Sequence, residues 1–229
     1  MNDRPIWVIK VGGSLAKNGD MTEDLRAWLS VLAVTDRRRC SLVIVPGGGS
    51  YADSARHMGR SFSLSEEAGH DLAVRGMELY GFFLSHVDSR FSCASSLQGM
   101  ACAWRQGRHV IWLPSAMLCC EESLCPLPRQ WAYTSDSLAL WLALWLGAER
   151  LFWVKARPPY HMGGYVWQLQ DEGLLDKGVS FFRHRERGGL CCFCLTAQEH
   201  DKWHGMVMGG DDIGVPVLWE QQGAVMTSR

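Results

Sequence analysis

Two glycine turns, each at the end of an apolar run, are the residues of this chain whose types and spacing could do chemistry. Consecutive backbone N–H groups at such turns, with the positive end of a following helix, form a site for anions. Glycine allows the sharp bend because it tolerates positive φ without a Cβ clash. The residues concerned are Gly12, Gly13 and Ser14 in the first turn and Gly47, Gly48 and Gly49 in the second. Both turns therefore indicate phosphate binding.

Lys10 stands two residues before the first glycine turn, where a lysine ammonium group suits phosphate oxygens. Neither turn fits the Walker pattern or the dinucleotide pattern, so neither is specific alone. Both turns nevertheless follow predicted strands, and open α/β sheets bind their ligands at the carboxyl ends of strands. The two turns with one lysine favour phosphoryl transfer as the chemistry.

The elements that must position these residues alternate between helix and strand along the chain. This alternation predicts an α/β fold, a three-layer αβα sandwich with a largely parallel central sheet. Besides the first apolar run, strands are predicted at residues 42–45, 109–113, 151–154 and 190–195. Helices are predicted after Thr22, over residues 51–58, after residues 63–66, near 96–105 and from Thr134.

The longest predicted helix follows a Ser-Leu-Ser-Glu segment at residues 63–66, which has the pattern of a capping box. Apolar residues recur along this helix on one face. They are Leu72, Leu79, Tyr80, Phe83 and Val87.

Composition limits the classes of function. The 229 residues are 47% hydrophobic and 21% charged, which is ordinary for a globular protein able to bury a sizeable core. We expect a single domain with an acceptor half at residues 1–128 and a nucleotide half at 129–229. A net charge of −1 gives no argument for nucleic acid or an anionic membrane as a partner. Without a spanning segment or a signal-peptide pattern, the expected location is the cytoplasm.

Nine cysteines and eleven tryptophans are unusual counts for this length. Cys191, Cys192 and Cys194 lie in an apolar run and leave two alternatives, a structural metal site or small core residues. Core packing is favoured, because alternating cysteines on a buried strand behave as small hydrophobic residues. We interpret the tryptophans in the same way, as core residues before ligand-stacking ones.

The assembled motifs resemble the amino acid kinase superfamily. The shared elements are residues 10–14, residues 46–49 and Asp136, an aspartate that begins a helix in the carboxyl half. Within it, the chain is most similar to the (aminomethyl)furanyl-methyl phosphate kinases of methanofuran biosynthesis. That similarity lies at residues 51–56, 64–65, 70–73, 113–115 and 134–138, and it fades beyond about residue 152.

The resemblance implies an ATP- and Mg²⁺-dependent kinase with a homo-oligomeric assembly. By resemblance, Lys10 contacts the transferring phosphoryl group, while the first glycine turn holds that group through its backbone. Gly47, Gly48 and Gly49 would then lie between donor and acceptor phosphates. Asp136 would orient the lysine or a magnesium-bound phosphate, although capping its own helix is the alternative.

The acceptor implied by the resemblance is a small phosphorylated molecule, the aminomethylfuran phosphate, which would become a diphosphate. Asp53 and Arg56 are candidates for its amine and phosphate groups, or they form a solvated pair three residues apart. His70 is a candidate substrate residue, or a histidine with only a structural role.

The chain departs from the family pattern at residues 154–158, which are Val-Lys-Ala-Arg-Pro where the family has Thr-Asp-Val-Asp-Gly. Lys155 and Arg157 either neutralise nucleotide phosphates, or they mark a degenerate homologue that acts as a binding or scaffolding subunit. The family's second catalytic lysine has no certain counterpart. Lys177 is a candidate for it, or a solvated loop lysine.

Overall fold

The structure is a computed structural model, and it describes residues 4–17, 20–119, 125–160, 164–184 and 189–219. The strands are β1 (Ile6–Val11), β2 (Ala16–Lys17), β3 (Asp20–Met21), β4 (Ser41–Pro46), β5 (Phe91–Ala94), β6 (His109–Trp112), β7 (Arg150–Lys155), β8 (Cys191–Thr196) and β9 (Val215–Pro216). The helices are α1 (Glu23–Ala33), α2 (Gly49–Ser61), α3 (Glu66–Ser85), α4 (Leu97–Arg105), α5 (Pro114–Leu118), α6 (Ser135–Trp145), α7 (Val166–Asp171) and α8 (His200–Val207). Short 3-10 turns cover Gly13–Leu15, Lys177–Phe182 and Ala197–Glu199.

Seven strands form one sheet in the order β5-β6-β4-β1-β7-β8-β9. Every pairing is parallel except that of β8 with the short edge strand β9. β1 lies at the centre, between β4 and β7, so the two glycine turns follow neighbouring strands. The predicted α/β class and the largely parallel sheet are confirmed.

Two hydrophobic cores flank the sheet, which gives the predicted three layers. Along β1, the side chains alternate between the two faces, as the pleat requires. Trp7, Ile9 and Val11 belong to the core with α1 and α8, whereas Val8 belongs to the core with α4 and α6. The same alternation places Lys10 on the α6 side of the sheet.

The start of α3 differs from the predicted capping box. Ser65 is the N-cap, and its hydroxyl accepts a hydrogen bond from the Ala68 N–H. Ser63 lies two residues earlier with a φ of 52°, which belongs to the tight turn between α2 and α3. Ser63 fits the capping-box pattern with Glu66, but it lies in the turn, and Ser65, which has Ala68 three residues later, caps the helix instead.

The apolar stripe predicted along α3 is not the face that packs into the core. Tyr80 is buried, but Leu79 is 55% exposed and Phe83 is 43% exposed. The buried face combines Val74, Met77, Tyr80 and Leu84 with glycines such as Gly76, which lies where α2 packs closely against α3. A Cβ at Gly76 would lie 3.0 Å from the Ala52 nitrogen.

Among the helices in the described ranges, none combines the length and the apolar character needed to cross a bilayer.

Candidate phosphate and acceptor site

The two glycine turns contact each other directly at the carboxyl ends of β1 and β4. A Cβ on Gly13 would lie 2.2 Å from the Gly49 nitrogen, and a Cβ on Gly47 would lie 2.2 Å from the Gly13 nitrogen. Both distances are below any real contact, so any side chain here would force the turns apart. Gly49 also has a φ of 52°, which favours glycine. The two predicted phosphate turns are therefore one structural unit.

The second turn leads into α2, whose first backbone N–H groups lack partners within the helix. This helix end, beside the adjoining glycines, is the anion site that the sequence predicts. The first turn differs, because it continues into the 3-10 turn Gly13–Leu15 and the small β2–β3 hairpin before α1 begins at Glu23. Its anion-binding groups are those of a tight turn rather than a helix end.

Lys10, Asp136 and Lys155 form a buried cluster next to the turns. The Lys10 Nζ lies 2.9 Å from Asp136 Oδ1, and the Lys155 Nζ lies 2.7 Å from the same oxygen. All three side chains are only 8% exposed. Two ammonium groups on one carboxylate leave a surplus of positive charge, which suits a phosphoryl group.

The environment of the cluster shifts two of its pKa values. Burial alone would raise the pKa of Asp136, but the two ammonium groups outweigh it and hold the pKa at about 2. Burial, reinforced by the charge of Lys10, lowers the pKa of Lys155 to about 8, although Asp136 opposes this shift. Asp136 is therefore ionised at neutral pH, whereas Lys155 loses its proton at a pH just above neutral.

Asp136 does not cap its own helix, which was the alternative to a catalytic role. The cap of α6 comes from Asp176, whose Oδ2 accepts hydrogen bonds from the backbone N–H groups of Thr134 (2.9 Å) and Ser137 (3.0 Å). The hydroxyls of both residues also donate to this oxygen. Burial, with the nearby charge of Asp136, raises the pKa of Asp176. The carboxylate of Asp136 is thereby left to the two lysines.

A cavity of about 1040 Å³ opens beside the cluster. Its polar end is formed by Lys10, Ser14 and three glycines of the two turns, Gly13, Gly48 and Gly49. Its wall is formed by α2 and α3, and its far side comes from residues 131–135 before and at the start of α6. The cavity thus joins the phosphate turns to a region large enough for a small molecule.

All three predicted substrate residues line this cavity. Arg56 Nη1 lies 2.8 Å from Asp53 Oδ1, so the solvated pair exists and faces the cavity as well. His70 is buried, and its Nδ1 lies 3.2 Å from the Gln130 carbonyl oxygen. Burial lowers the pKa of His70, so the ring is neutral at pH 7 and donates from Nδ1. Its Nε2 is then an acceptor.

Two predicted nucleotide residues lie elsewhere. Lys177 is exposed at the start of its 3-10 turn and does not line the cavity, so the structure does not place it with Lys10. The Arg157 guanidinium lies 4.4 Å from the centre of the Tyr160 ring and donates to the backbone carbonyl of Glu172. Lys155, by contrast, joins the cluster.

Trp131 and Tyr133 line the cavity and were missed by the sequence analysis. They lie in the irregular segment before α6, where periodicity carries no information. The tryptophans as a class were interpreted as core residues. This interpretation is wrong for Trp131, which is only partly buried, and for Trp145 and Trp167, which are exposed.

Comparison with known proteins supports the resemblance. No protein-family model matches the chain. The chain is 28% identical over 136 residues to a 5-(aminomethyl)furan-3-yl-methyl phosphate kinase of Methanocaldococcus jannaschii. The match covers 59% of this chain and 58% of that relative's length. The predicted similarity to this group of kinases is therefore confirmed at the level of sequence.

Solved structures share the fold at low identity. The uridylate kinase of Archaeoglobus fulgidus superposes with a TM-score of 0.66 over 93% of this chain and 100% of that one, at 14% identity. The UMP kinase of Ureaplasma parvum superposes with a TM-score of 0.61 over 91% of this chain and 96% of that one, at 12% identity. The aspartate kinase of Synechocystis superposes with a TM-score of 0.59 over 94% of this chain and 40% of that one, at 15% identity. The chain has the amino acid kinase fold, and each named relative is a small-molecule kinase.

Proposed function

We propose that this protein transfers the γ-phosphoryl group of ATP to a small phosphorylated acceptor held in the 1040 Å³ cavity. The observation that carries the proposal is the buried Lys10–Asp136–Lys155 cluster beside the two contacting glycine turns. Phosphoryl transfer depends on positioning and charge neutralisation more than on covalent help from the protein. The cluster and the turns supply both.

In the proposed reaction, an acceptor phosphate oxygen attacks the γ-phosphorus while the bond to the β-phosphate bridging oxygen breaks. ADP leaves with that electron pair, and the acceptor becomes a diphosphate. A phosphate monoester is already anionic near neutral pH, so its oxygen needs no general base. Lys10 contacts the transferring group, Lys155 adds a second positive charge, and Asp136 fixes both ammonium groups.

Magnesium enters the proposal with the nucleotide. Within the described ranges, no three His, Cys, Asp or Glu side chains gather as a metal site. Mg²⁺ is commonly held by one or two carboxylates together with substrate phosphates, so an ATP-bound ion needs few protein ligands. Asp136 is the carboxylate in the cluster that could meet such an ion, and the ion would supply further charge neutralisation.

The acceptor we propose is the (aminomethyl)furanyl-methyl phosphate of the methanofuran pathway. Support comes from the name of the Methanocaldococcus jannaschii relative and from the lining of the cavity. Asp53 offers a carboxylate to the amine, while Arg56 and the glycine turns offer partners to the phosphate. The neutral His70 offers an acceptor nitrogen to a donor group of the substrate.

The test is ADP formation with purified protein, ATP, Mg²⁺ and this furan phosphate, with the diphosphate product identified by phosphorus NMR. We expect one ADP for each diphosphate formed and none with the unphosphorylated furan alcohol. UMP and aspartate, which appear in the names of the structural neighbours, are tested as competing acceptors. Turnover with UMP instead would replace the acceptor while keeping diphosphate formation, whereas turnover with aspartate would give an acyl phosphate and reject a phosphorylated acceptor.

Replacement of Lys10 by alanine gives the corresponding residue test. We expect turnover to fall at least about a hundredfold, because a preorganised charge at the transferring group is lost. Lys202→Ala is the matched control, since Lys202 is exposed on α8 and lies outside the cavity. Steady-state ADP production gives the rates, and thermal melting confirms that both variants fold. Near-normal activity in Lys10→Ala would contradict the proposed contact of Lys10 with the transferring phosphoryl group.

A second candidate is a non-catalytic binding or scaffolding subunit. The observation that favours it is Arg157, which is engaged with Glu172 and Tyr160 in the part of the chain where a nucleotide would bind. Calorimetric titration with ATP plus Mg²⁺, and with ADP, separates the candidates. Micromolar binding favours the kinase, whereas a folded protein that binds neither nucleotide favours the scaffold.

A further inference from the structure

The segment before α6 lies across α2 and α3 at the far end of the cavity. Arg129 Nε donates to Asp71 Oδ1 over 3.0 Å, and the Gln130 carbonyl accepts from His70. The Trp131 backbone N–H donates to Glu66 Oε2 over 3.2 Å. Three successive residues are therefore each attached to α3, and the segment is held in place without occupying the cavity.

The Trp131 indole is seated on two glycines, one from each helix. A Cβ on Gly69 would lie 2.2 Å from the indole Cζ2 atom, and one on Gly59 would lie 3.1 Å from the same atom. The absence of side chains at both positions lets the ring lie directly on the two helix backbones. Trp131 is thereby a fixed flat surface that lines the cavity.

Helix α2 sets the order of groups along the cavity. Gly49, Asp53, Arg56 and Gly59 follow one another at intervals of three or four residues, so they share one side of the helix. The ten steps along the helix from Gly49 to Gly59 span about 15 Å at the usual helical rise. The phosphate turn thus lies at one end, and Trp131 lies at the other.

The chemistry of the two ends differs. The end near the turns carries the positive charge of Lys10, whereas the other end presents the Trp131 indole. Apolar side chains of α3 and α6, Val74, Met77 and Leu138, also line the cavity. The guanidinium carbon of Arg56 lies 5.9 Å from the centre of the Trp131 ring, between the two ends. A ligand that fits has an anionic group at one end and a flat apolar group at the other.

We propose that Trp131 determines acceptor specificity by stacking on a planar unsaturated ring of the acceptor. The proposal rests on the proposed function, which it deepens by selecting the class of acceptor. A planar ring gains from contact with an immobilised indole beyond the area that it buries, by about 2- to 12-fold in affinity. A saturated ring of the same size and charge lacks this gain.

The experiment compares 5-(aminomethyl)furan-3-yl-methyl phosphate with its tetrahydrofuran analogue, which carries the same charges. Affinities are measured by calorimetry without nucleotide, and kcat/KM is measured with ATP. Wild-type protein should prefer the furan about 2- to 12-fold. Trp131→Leu should lose the preference, while Trp131→Phe should retain most of it.

Two further variants distinguish an effect of moving the indole from an effect of general structural damage. Gly69→Ala retains Trp131 but places a Cβ where the indole lies, so it should also reduce the preference. Trp167→Leu is the control, because Trp167 is 47% exposed on α7 and does not line the cavity. It should behave as the wild type does, and all variants are checked by thermal melting.

The outcomes distinguish this inference from the proposed function. Equal affinities for the two compounds in the wild type, or an unchanged preference in Trp131→Leu, would overturn the role of Trp131 even if ATP is consumed. A Trp131-dependent preference without ADP formation would support the role of Trp131 and reject the kinase reaction. Failure of both compounds to bind to the wild type would overturn both.

Discussion

Lys155 changes its charge within the pH range in which such an enzyme would be assayed. Its pKa of about 8 lies well below the ordinary value of 10.5, first because the ammonium group is buried. If this charge stabilises the transferring phosphoryl group, kcat/KM should fall about tenfold for each pH unit above 8. Lys155→Arg should move the decline in kcat/KM to higher pH, because a guanidinium stays protonated.

The expected decline is not caused by unfolding, as the sign of the linkage shows. Between pH 8 and 10.5 the unfolded chain holds the Lys155 proton that the folded protein has released, so this residue contributes stability that increases with pH. Thermal melting across the same range provides the control. A decline near pH 8 that persists in Lys155→Arg would show that another group is responsible.

Sequence could predict the residues at the phosphate end but not the contacts among them. Lys10 and Asp136 were identified from motifs, yet the role of Lys155 was left open because its neighbours are set by strand order. β7 lies next to β1 in the sheet although about 140 residues separate them, so only the fold places Lys155 on Asp136. Trp131 was missed because it lies in the irregular segment before α6, where no periodic pattern indicates its neighbours.

Helix α6 depends for its N-terminus on a carboxylate from a distant part of the chain. Asp176→Asn should lower the free energy of unfolding by about 1–3 kcal/mol, because an amide cannot accept the same set of hydrogen bonds. Asp171→Asn is the matched control, since Asp171 is exposed at the end of α7. Urea denaturation of both variants gives the values. Equal stability of the two would contradict the capping role.

At the scale of elements, sequence patterns predicted α1, β4, β7 and β8 with ends within a few residues of those observed. Their apolar periodicity and the Thr22 cap are local signals, and Thr22 Oγ1 does accept from the Leu25 N–H. The buried face of α3 was not predictable in this way. Gly76 lies where α3 packs against α2, and the buried apolar residues Met77, Tyr80 and Leu84 do not follow the stripe of Leu79, Phe83 and Val87.

At the scale of the whole molecule, the exposed apolar face of α3 supports the proposed homo-oligomer. Leu79, Phe83 and Val87 lie four residues apart on this helix or just after it, and each is more than a third exposed. We expect light scattering after size-exclusion chromatography to give at least a dimer. A double Leu79→Asp, Phe83→Asp variant should be a folded monomer, because burying carboxylates in an apolar interface is costly.

Val34→Asp provides a matched control, since Val34 is 57% exposed just after α1, away from this face. It should leave the molar mass unchanged. A monomeric wild-type protein would reject the assembly. The division into an acceptor half and a nucleotide half, like the cytoplasmic location, stays a prediction.

The contact between the two glycine turns restricts how this chain can evolve. Gly49 occupies the space that a side chain on Gly13 would need, and Gly13 occupies the space that a side chain on Gly47 would need, so neither Gly13 nor Gly47 can change alone without moving the two turns apart. The packing of the two turns against each other therefore requires these glycines independently of any chemistry that the site performs.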